Sequence, residues 1–473
     1  MQNLMDNIQR NKPDTQKPKP VDSLIIYGGP VYDGLGTVYE KGAVFIENNT
    51  ISLIGEEEDV FGELQKGMQN VEILNTQGQL VAPGLINAHH HLHMAFSTGL
   101  TALGPTASFG ERLENFIWPY EKALTKEAVQ LSTFLTLLDS IKHGTTTIFA
   151  HHSSPNYITG SFDIIAGAFK RAGMRGLLSY SITDKFGENK FQSALEETKS
   201  FISEHRMTSL IKGIPGLHAN LSLSEEGLKK YSETFDSSKG IHLHLGEAQE
   251  DLQFCIDKGY QGCLDRLDQF GLINEKSLLA HANHISEKDR ALIKEKNPAL
   301  IHNPISNANS KAGWFDLKLA QEALTGFGTD GISSNPVKDL NTASLLHNMN
   351  SDNNINIADN LIKMLFKNNS IIAGRHFDQN FGTLTQGSRA DVVIFDYEPN
   401  TLIHSNNINK HLINGLKDSR AETVIVDGKI IYKDKAYLTI DKEIVTKEAK
   451  SLCQNIWENY VNQAGNSSNS PKA

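Results

Sequence analysis

The sequence is poor in cysteine. Cys255, Cys263 and Cys453 are too few and too scattered among 473 residues for a disulfide framework or a cysteine-based zinc site. A reducing, cytoplasmic setting is therefore the expectation. Long apolar runs are missing too. No stretch approaches the roughly 20 residues of a membrane span, so neither a membrane anchor nor a membrane partner is expected. The first 22 residues, broken by Lys12, Pro13, Lys17, Pro18, Lys19 and Pro20, contain no apolar segment fit for a signal peptide and read as a disordered lead-in. Basic excess is absent: 45 Lys and Arg against 55 Asp and Glu give a formal charge of −10, which argues against nucleic acid as a partner. Solenoid-type repeats are absent as well. What remains is an ordinary globular composition, 39% hydrophobic and 21% charged, over a length that suits one large α/β barrel with an added domain.

The stretch that organises the chain is Pro83-Gly84-Leu85-Ile86-Asn87-Ala88-His89-His90-His91-Leu92-His93. Leu80-Val81-Ala82 and Leu85-Ile86 read as a buried strand, on which residues i and i+2 share a side. His89 and His91 therefore aim together, and two neutral imidazoles converging at a strand end suit a borderline divalent metal such as Zn²⁺.

Around this stretch the apolar pattern divides the chain. Leu24–Tyr27, Gly42–Ile46 and Ile51–Gly55 read as strands, with Asn48-Asn49 as a hairpin turn, and Ala390–Phe395 and Glu422–Tyr432 read as strands at the far end. Neither end suffices alone, so a small β-sandwich built from residues 23–80 and 384–441 is expected. Between them, residues 81–383 alternate short strands with amphipathic helices, the pattern of a (β/α)₈ barrel of the TIM type. After the His89 strand come 144–150, 176–180, 211–217, 241–244, 277–280, 299–302 and 326–330, which makes eight. The helix before Gly144 carries Val129, Leu131, Phe134, Leu138 and Ile141 on one face, and Gly144 suits its C-terminal stop. Residues 442–473 read as a helix to about Tyr460 and then a mobile polar tail, 466–470.

Most of these strands end in a residue able to bind or catalyse, and in such a barrel the C-terminal strand ends converge on one site. In strand order the ends are His89 and His91, His151-His152, His218, His244 with Glu247, His281, His302-Asn303, and Asp330. A lone histidine is as often a satisfied core residue as a ligand, but this many strand ends in concert are hard to explain as core histidines.

Pro83-Gly84-Leu85-Ile86 before His89-x-His91, His244-x-x-Glu247, His281, His302-Asn303-Pro304-x-Ser306-Asn307 and Thr329-Asp330-Gly331 resemble the amidohydrolase superfamily in order and spacing. The resemblance runs from Ser23 to about Tyr432. It is nearest to the cytosine-deaminase-like branch that includes S-adenosylhomocysteine, guanine, 8-oxoguanine and triazine hydrolases. Glu114–Glu121 is similar to that branch's segment after the first strand. His151-His152-Ser153-Ser154-Pro155 with Tyr157-Ile158, and Asp330-Gly331-Ile332, resemble its SsnA-type aminohydrolases.

The resemblance implies His89, His91, His244 and Asp330 as ligands of one divalent ion, zinc or alternatively iron. Glu247 is then a proton shuttle to the ring, Asp330 the acceptor of the water proton, and His281 the residue that orients the nucleophile. Trp118, His152, His218 and His302 fall on the substrate side, with Asn303 supporting His302. A small-molecule substrate and an arrangement open to homodimers follow. Two-metal relatives bridge their ions through a lysine at the end of strand four. Here Leu217-His218-Ala219 stands there and Lys212 lies at the strand's start, which favours one metal. Ser97-Thr98-Gly99 replaces an arginine of many relatives, which argues against guanine. His91-x-His93 repeats the spacing of His89-x-His91, and the distance from Gly84 favours the earlier pair. Three functions compete: deamination of a purine, pterin, pyrimidine or triazine through a metal-activated hydroxide; hydrolysis of a cyclic amide or halo-heterocycle at the same site; and a non-catalytic metal-binding scaffold. The intact set of six ligating and catalytic residues speaks against the scaffold.

Overall fold

A computed structural model describes residues 23–64, 71–203, 208–350 and 355–467. The expected lead-in, 1–22, and the polar tail beyond Ser467 lie outside the described residues. The chain ends meet in one nine-stranded mixed sheet. Its strands are β1 (Ser23–Tyr32), β2 (Val38–Glu47), β3 (Thr50–Glu56), β4 (Glu72–Asn75) and β5 (Val81–Pro83) from the first part of the chain. The next strands in the chain form two parallel sheets. β6 (Leu85–His90), β7 (Thr145–His152), β8 (Arg175–Tyr180) and β9 (Ile211–Gly213) make one; β10 (Gly216–Ala219), β11 (His242–Leu245), β12 (Leu278–His281), β13 (Ala299–His302) and β14 (Thr325–Phe327) make the other. The mixed sheet is completed by β15 (Val392–Phe395), β16 (Ala421–Val426), β17 (Lys429–Lys433) and β18 (Ala436–Tyr437), in the order β18-β17-β16-β15-β5-β1-β2-β3 with β4 beside β1.

The expected pooling of both ends thus takes the form of a single sheet, joined where β5 pairs with β15 (Val81↔Ile394, Ala82↔Val393, Pro83↔Val392). Alternation explains its two faces. Leu24 and Ile26 pack with Val392, Ile394 and Ile425 on one side. Ile25 and Phe45 pack with Val60 on the other.

Two strands differ from the sequence reading, each for a local reason. The run from Leu80 to Ile86 is a corner, not one strand: β5 belongs to the mixed sheet, Gly84 donates its N–H to Asp391 O at 2.9 Å, and β6 begins the first parallel sheet. The fourth strand, expected as 211–217, is divided near Pro215, which has no N–H to give a ladder. β9 pairs with β8, whereas β10 pairs with β11. The two parallel sheets are linked at both junctions by parallel bridges, Ile182↔Leu217 and His90↔Asp330.

The helix Lys126–Lys142 behaves as its pattern implies: Thr125 caps it, Val129, Leu131, Phe134, Leu138 and Ile141 are buried, and Gly144 follows at φ +82°. A buried ion pair ties the parallel sheet to the mixed one. Arg175 Nη2, on β8, lies 3.0 Å from Asp391 Oδ1, both side chains are fully buried, and the guanidinium sits 4.2 Å over the Phe381 ring. The last helix runs Lys442–Ser467, longer than expected, and its Tyr460 hydroxyl donates to Thr101 O at 2.9 Å. No helix among the described residues is long and apolar enough to cross a membrane.

Candidate active site and metal centre

The C-terminal ends of the parallel strands bring the histidines together. His89 and His91 leave β6 with ring centroids 4.9 Å apart, and His244, from β11, lies 5.1 Å from each. Ligand atoms of His89, His91 and His244, and likewise of His89, His281 and Asp330, all fall within 4.8 Å of one another. Asp330 Oδ1 is 3.0 Å from His91 Nε2, and His91 Nε2 is 3.1 Å from His244 Nε2.

Hydrogen bonds on the far ring nitrogens fix which atom of His89 and of His91 faces this point. His91 Nδ1–H donates to His151 O at 2.7 Å, leaving Nε2 inward. His89 Nδ1 is bonded to His242 Nε2 at 2.8 Å, His242 Nδ1 to Ser179 Oγ at 3.0 Å, and Ser179 donates to Ala150 O. His89 Nε2 is buried without a hydrogen-bond partner. Such outer partners set the tautomer and direction of a ligating imidazole. Burial, aided by neighbouring imidazoles, holds His89 and His244 far below the usual histidine range, which keeps them in the neutral, ligating form. For His91 burial also pulls down, but the charge and hydrogen bond of Asp330 outweigh it and the net shift is upward. Burial raises Asp330, yet His91, with His281 and His244, takes it well below the carboxylate range.

Backbone conformation places the next residues. His281 and Asp330 sit at φ +74° and +56°, left-handed positions that cost a non-glycine residue energy and cluster at functional sites. His281 Nδ1–H donates to Asn307 Oδ1 at 2.8 Å, which aims Nε2 at Glu247 Oε2 and Asp330 Oδ2, each 3.7 Å away. Ser306 Oγ donates to Asp330 Oδ2 at 2.5 Å. Glu247 is largely enclosed. Burial pushes its carboxyl upward, His281 opposes this and the Asp330 charge adds to it. Gly328 is needed beside β6, since a Cβ there would come within 2.9 Å of His89 N.

Of these groups His91, His244, Glu247, Ser306 and Asp330 line, with His218, a cavity of about 450 Å³, and the fully buried His89 and His281 do not reach its lining. Of the other residues read from the sequence, His218 bonds Ser222 Oγ at 2.7 Å and faces the cavity, while Trp118 packs edge-on against His218 with centroids 6.4 Å apart. Trp118, His152 and His302 do not line it. His152 bonds Ser154 Oγ at 2.8 Å, and His302 bonds His347 at 3.2 Å under the ring of Phe315. His93 also lines the cavity, with Nε2 3.6 Å from Glu121 Oε1 rather than among the clustered ligand atoms. Sequence reasoning gave no role to four residues here: His242, Arg112, and Ser306 and Glu121, which stand in the stretches that carried the resemblance. His242 stands two residues before His244 on one strand, a spacing that would have marked it.

Known proteins share this sequence pattern and fold. Residues 80–431 match the model of the Amidohydrolase family. A 5-methylthioadenosine/S-adenosylhomocysteine deaminase of Thermococcus sibiricus is 29% identical over 418 residues, covering 86% of this chain and 94% of the relative. A 5'-deoxyadenosine deaminase of Methanococcus aeolicus is 30% identical over 430 residues, covering 88% and 96%. Among solved structures, an adenosine deaminase from Xanthomonas campestris with bound zinc shares the fold at a TM-score of 0.77 and 22% identity, over 94% of this chain and 100% of that one.

Proposed function

The chain belongs to the Amidohydrolase family, and from that premise we propose that it hydrolytically removes ammonia from an amino-substituted nitrogen heterocycle, with an adenine-type ring the first candidate. The observation that carries the reading is the convergence of His89, His91, His244, Asp330, Glu247 and His281 around one cavity floor. In this reading the two parallel sheets, bridged at both junctions, are a closed (β/α)₈ barrel over residues 81–383 except for Val81–Pro83, which join the mixed sheet, and that sheet folds across itself as the β-sandwich expected of 23–80 and 384–441.

The donor set fits a divalent ion. Three imidazoles and one carboxylate with room for water make a catalytic rather than a closed structural site, and the partnerless buried Nε2 of His89 is what a ligand atom looks like before its ion. His89, His91, His244 and Asp330 would hold it, zinc being proposed over iron. One ion is proposed because strand four ends in His218. Bound there, the ion supplies a nucleophilic water at neutral pH. The chain's own groups do the rest. Asp330 accepts the water proton, His281 Nε2 holds the water in line, and Glu247 delivers a proton to the ring nitrogen beside the attacked carbon. His218 flanks the ring, with Trp118 packed against it from outside the cavity, while His152 and His302 act as supports from behind the wall. The test is ammonia release by zinc-loaded protein over aminopurines, pterins, pyrimidines and triazines. Release from an adenine-type compound is expected. Hydrolysis of only cyclic amides or chlorinated rings, with no ammonia from any amino ring, would overturn the reading.

A further inference from the structure

Thr98 lines the catalytic cavity but brings no charge. Among the described residues lining that cavity, Arg112 is the one lysine or arginine. It sits at the end of the short helix Phe109–Arg112, which Ser108 and Glu111 fix by a reciprocal capping box. No carboxylate among the described residues forms an ion pair with its guanidinium. Glu111 is taken up by its cap and by Ala107 N, and Glu250 Oε1 accepts Phe109 N at 3.0 Å. An unpaired guanidinium on a fixed backbone, facing a half-enclosed cavity, is poised for an oxyanion in a bidentate fork.

The space beyond Arg112 points the same way. A second cavity of about 550 Å³ adjoins the first and shares Phe109, Arg112, Phe116 and Asn309 with it. Lys311 and His284 also line it, and Glu250 is the single acid there. The candidate ligands and proton donors line the first cavity, Lys311 lines the second, and Arg112 lines both beside Phe109 and Phe116. Resting on the deaminase reading, we propose that Arg112 is a specificity-determining residue that binds an oxyanion, carboxylate or phosphate, carried on a tail of the amino-heterocycle. Lys311, in the adjoining cavity, adds positive potential.

The experiment compares three adenine compounds on the zinc-loaded protein: 5'-methylthioadenosine with a neutral tail, 5'-carboxymethylthioadenosine with a carboxylate, and adenosine 5'-monophosphate with a phosphate. Both kcat/KM for ammonia release and calorimetric Kd are read. Wild type should favour at least one anionic compound over the neutral one, and which one identifies the oxyanion. Arg112→Gln should lower the anionic-to-neutral ratio by roughly 10–100-fold, the worth of a charge-assisted hydrogen-bonded pair. Arg112→Lys should restore part of it, and the wild-type ratio should fall as salt rises. The ratio is the readout, so a general loss of activity does not count. Equal handling of all three by wild type, or an equal effect of Arg112→Gln on all three, overturns the inference. If none releases ammonia, the deaminase reading fails on the adenine ring, and the Kd ratio alone decides: a preference lost in Arg112→Gln upholds the anion site, and its absence or no binding overturns it.

Discussion

Replacing Glu247 by Gln separates chemistry from metal binding. Its carboxyl is absent from both clusters of ligand atoms, while its Oε2 lies 3.7 Å from His281 Nε2. The backbone around it is fixed without the side chain: Gly246 N–H donates to Asp251 Oδ2 at 3.0 Å, and the Glu247 carbonyl accepts Asn283 Nδ2 at 3.0 Å. His281 does not depend on it for orientation either, since Asn307 holds Nδ1. Glutamine therefore keeps the fold, the polar contact and the ligand set, and removes only the titrating proton. General acid–base catalysis is worth roughly 10²–10⁴-fold, which is about 3–5 kcal/mol of barrier. The variant should retain stoichiometric zinc by elemental analysis while ammonia release falls by that factor, with or without added zinc. If Glu247 instead tuned a ligand, affinity for metal would drop roughly 10–100-fold and excess zinc would restore the rate. That recovery, or a loss smaller than about tenfold, would refute the proton-shuttle role.

Other substitutions test the scaffold of the site. His91→Ala should empty the metal site in elemental analysis and His93→Ala should leave metal content near normal, since His93 pairs with Glu121; the opposite result shifts the ligand pair by two residues. Ser306→Ala removes the hydroxyl that holds Asp330 Oδ2 and should weaken zinc affinity by roughly 10–100-fold in competition with a chelator; an unchanged affinity dismisses that role. Arg175→Met strands Asp391 in the interior and should cost about 3–5 kcal/mol in urea unfolding, with Arg175→Met plus Asp391→Leu recovering most of it. A single-variant cost under about 1 kcal/mol, the level of an exposed pair, counts against the buried lock.

Much of the site was legible because strand geometry is simple. Side-chain alternation alone put His89 and His91 on one side, and the strand-end rule gathered His244, His281 and Asp330, although Asp330 lies three residues past β14 in a left-handed turn that no pattern announces. The hydrophobic runs named nearly every parallel strand. They could not show that Pro215 divides the fourth, or that Val81–Pro83 turns away at Gly84 to join another sheet, because both depend on which neighbour supplies the hydrogen bonds. Arg112 was invisible for a different reason. Its meaning comes from the partner it lacks and the cavities it separates, and neither is a property of neighbouring letters.

The pairing of β5 with β15 also governs the order in which the molecule is made. β5 leads through Gly84 directly into the strand that carries His89 and His91, yet its partner is made only after every strand of the two parallel sheets. A nascent chain stopped short of Asp391 leaves β5 with an open edge, a ready template for wrong partners. It also lacks the buried anion that Arg175 needs. Closing so long a loop is entropically slow. The strand that carries His89 and His91 is thus made early, while β5, which leads into it, gains its second neighbour only after both parallel sheets have been made.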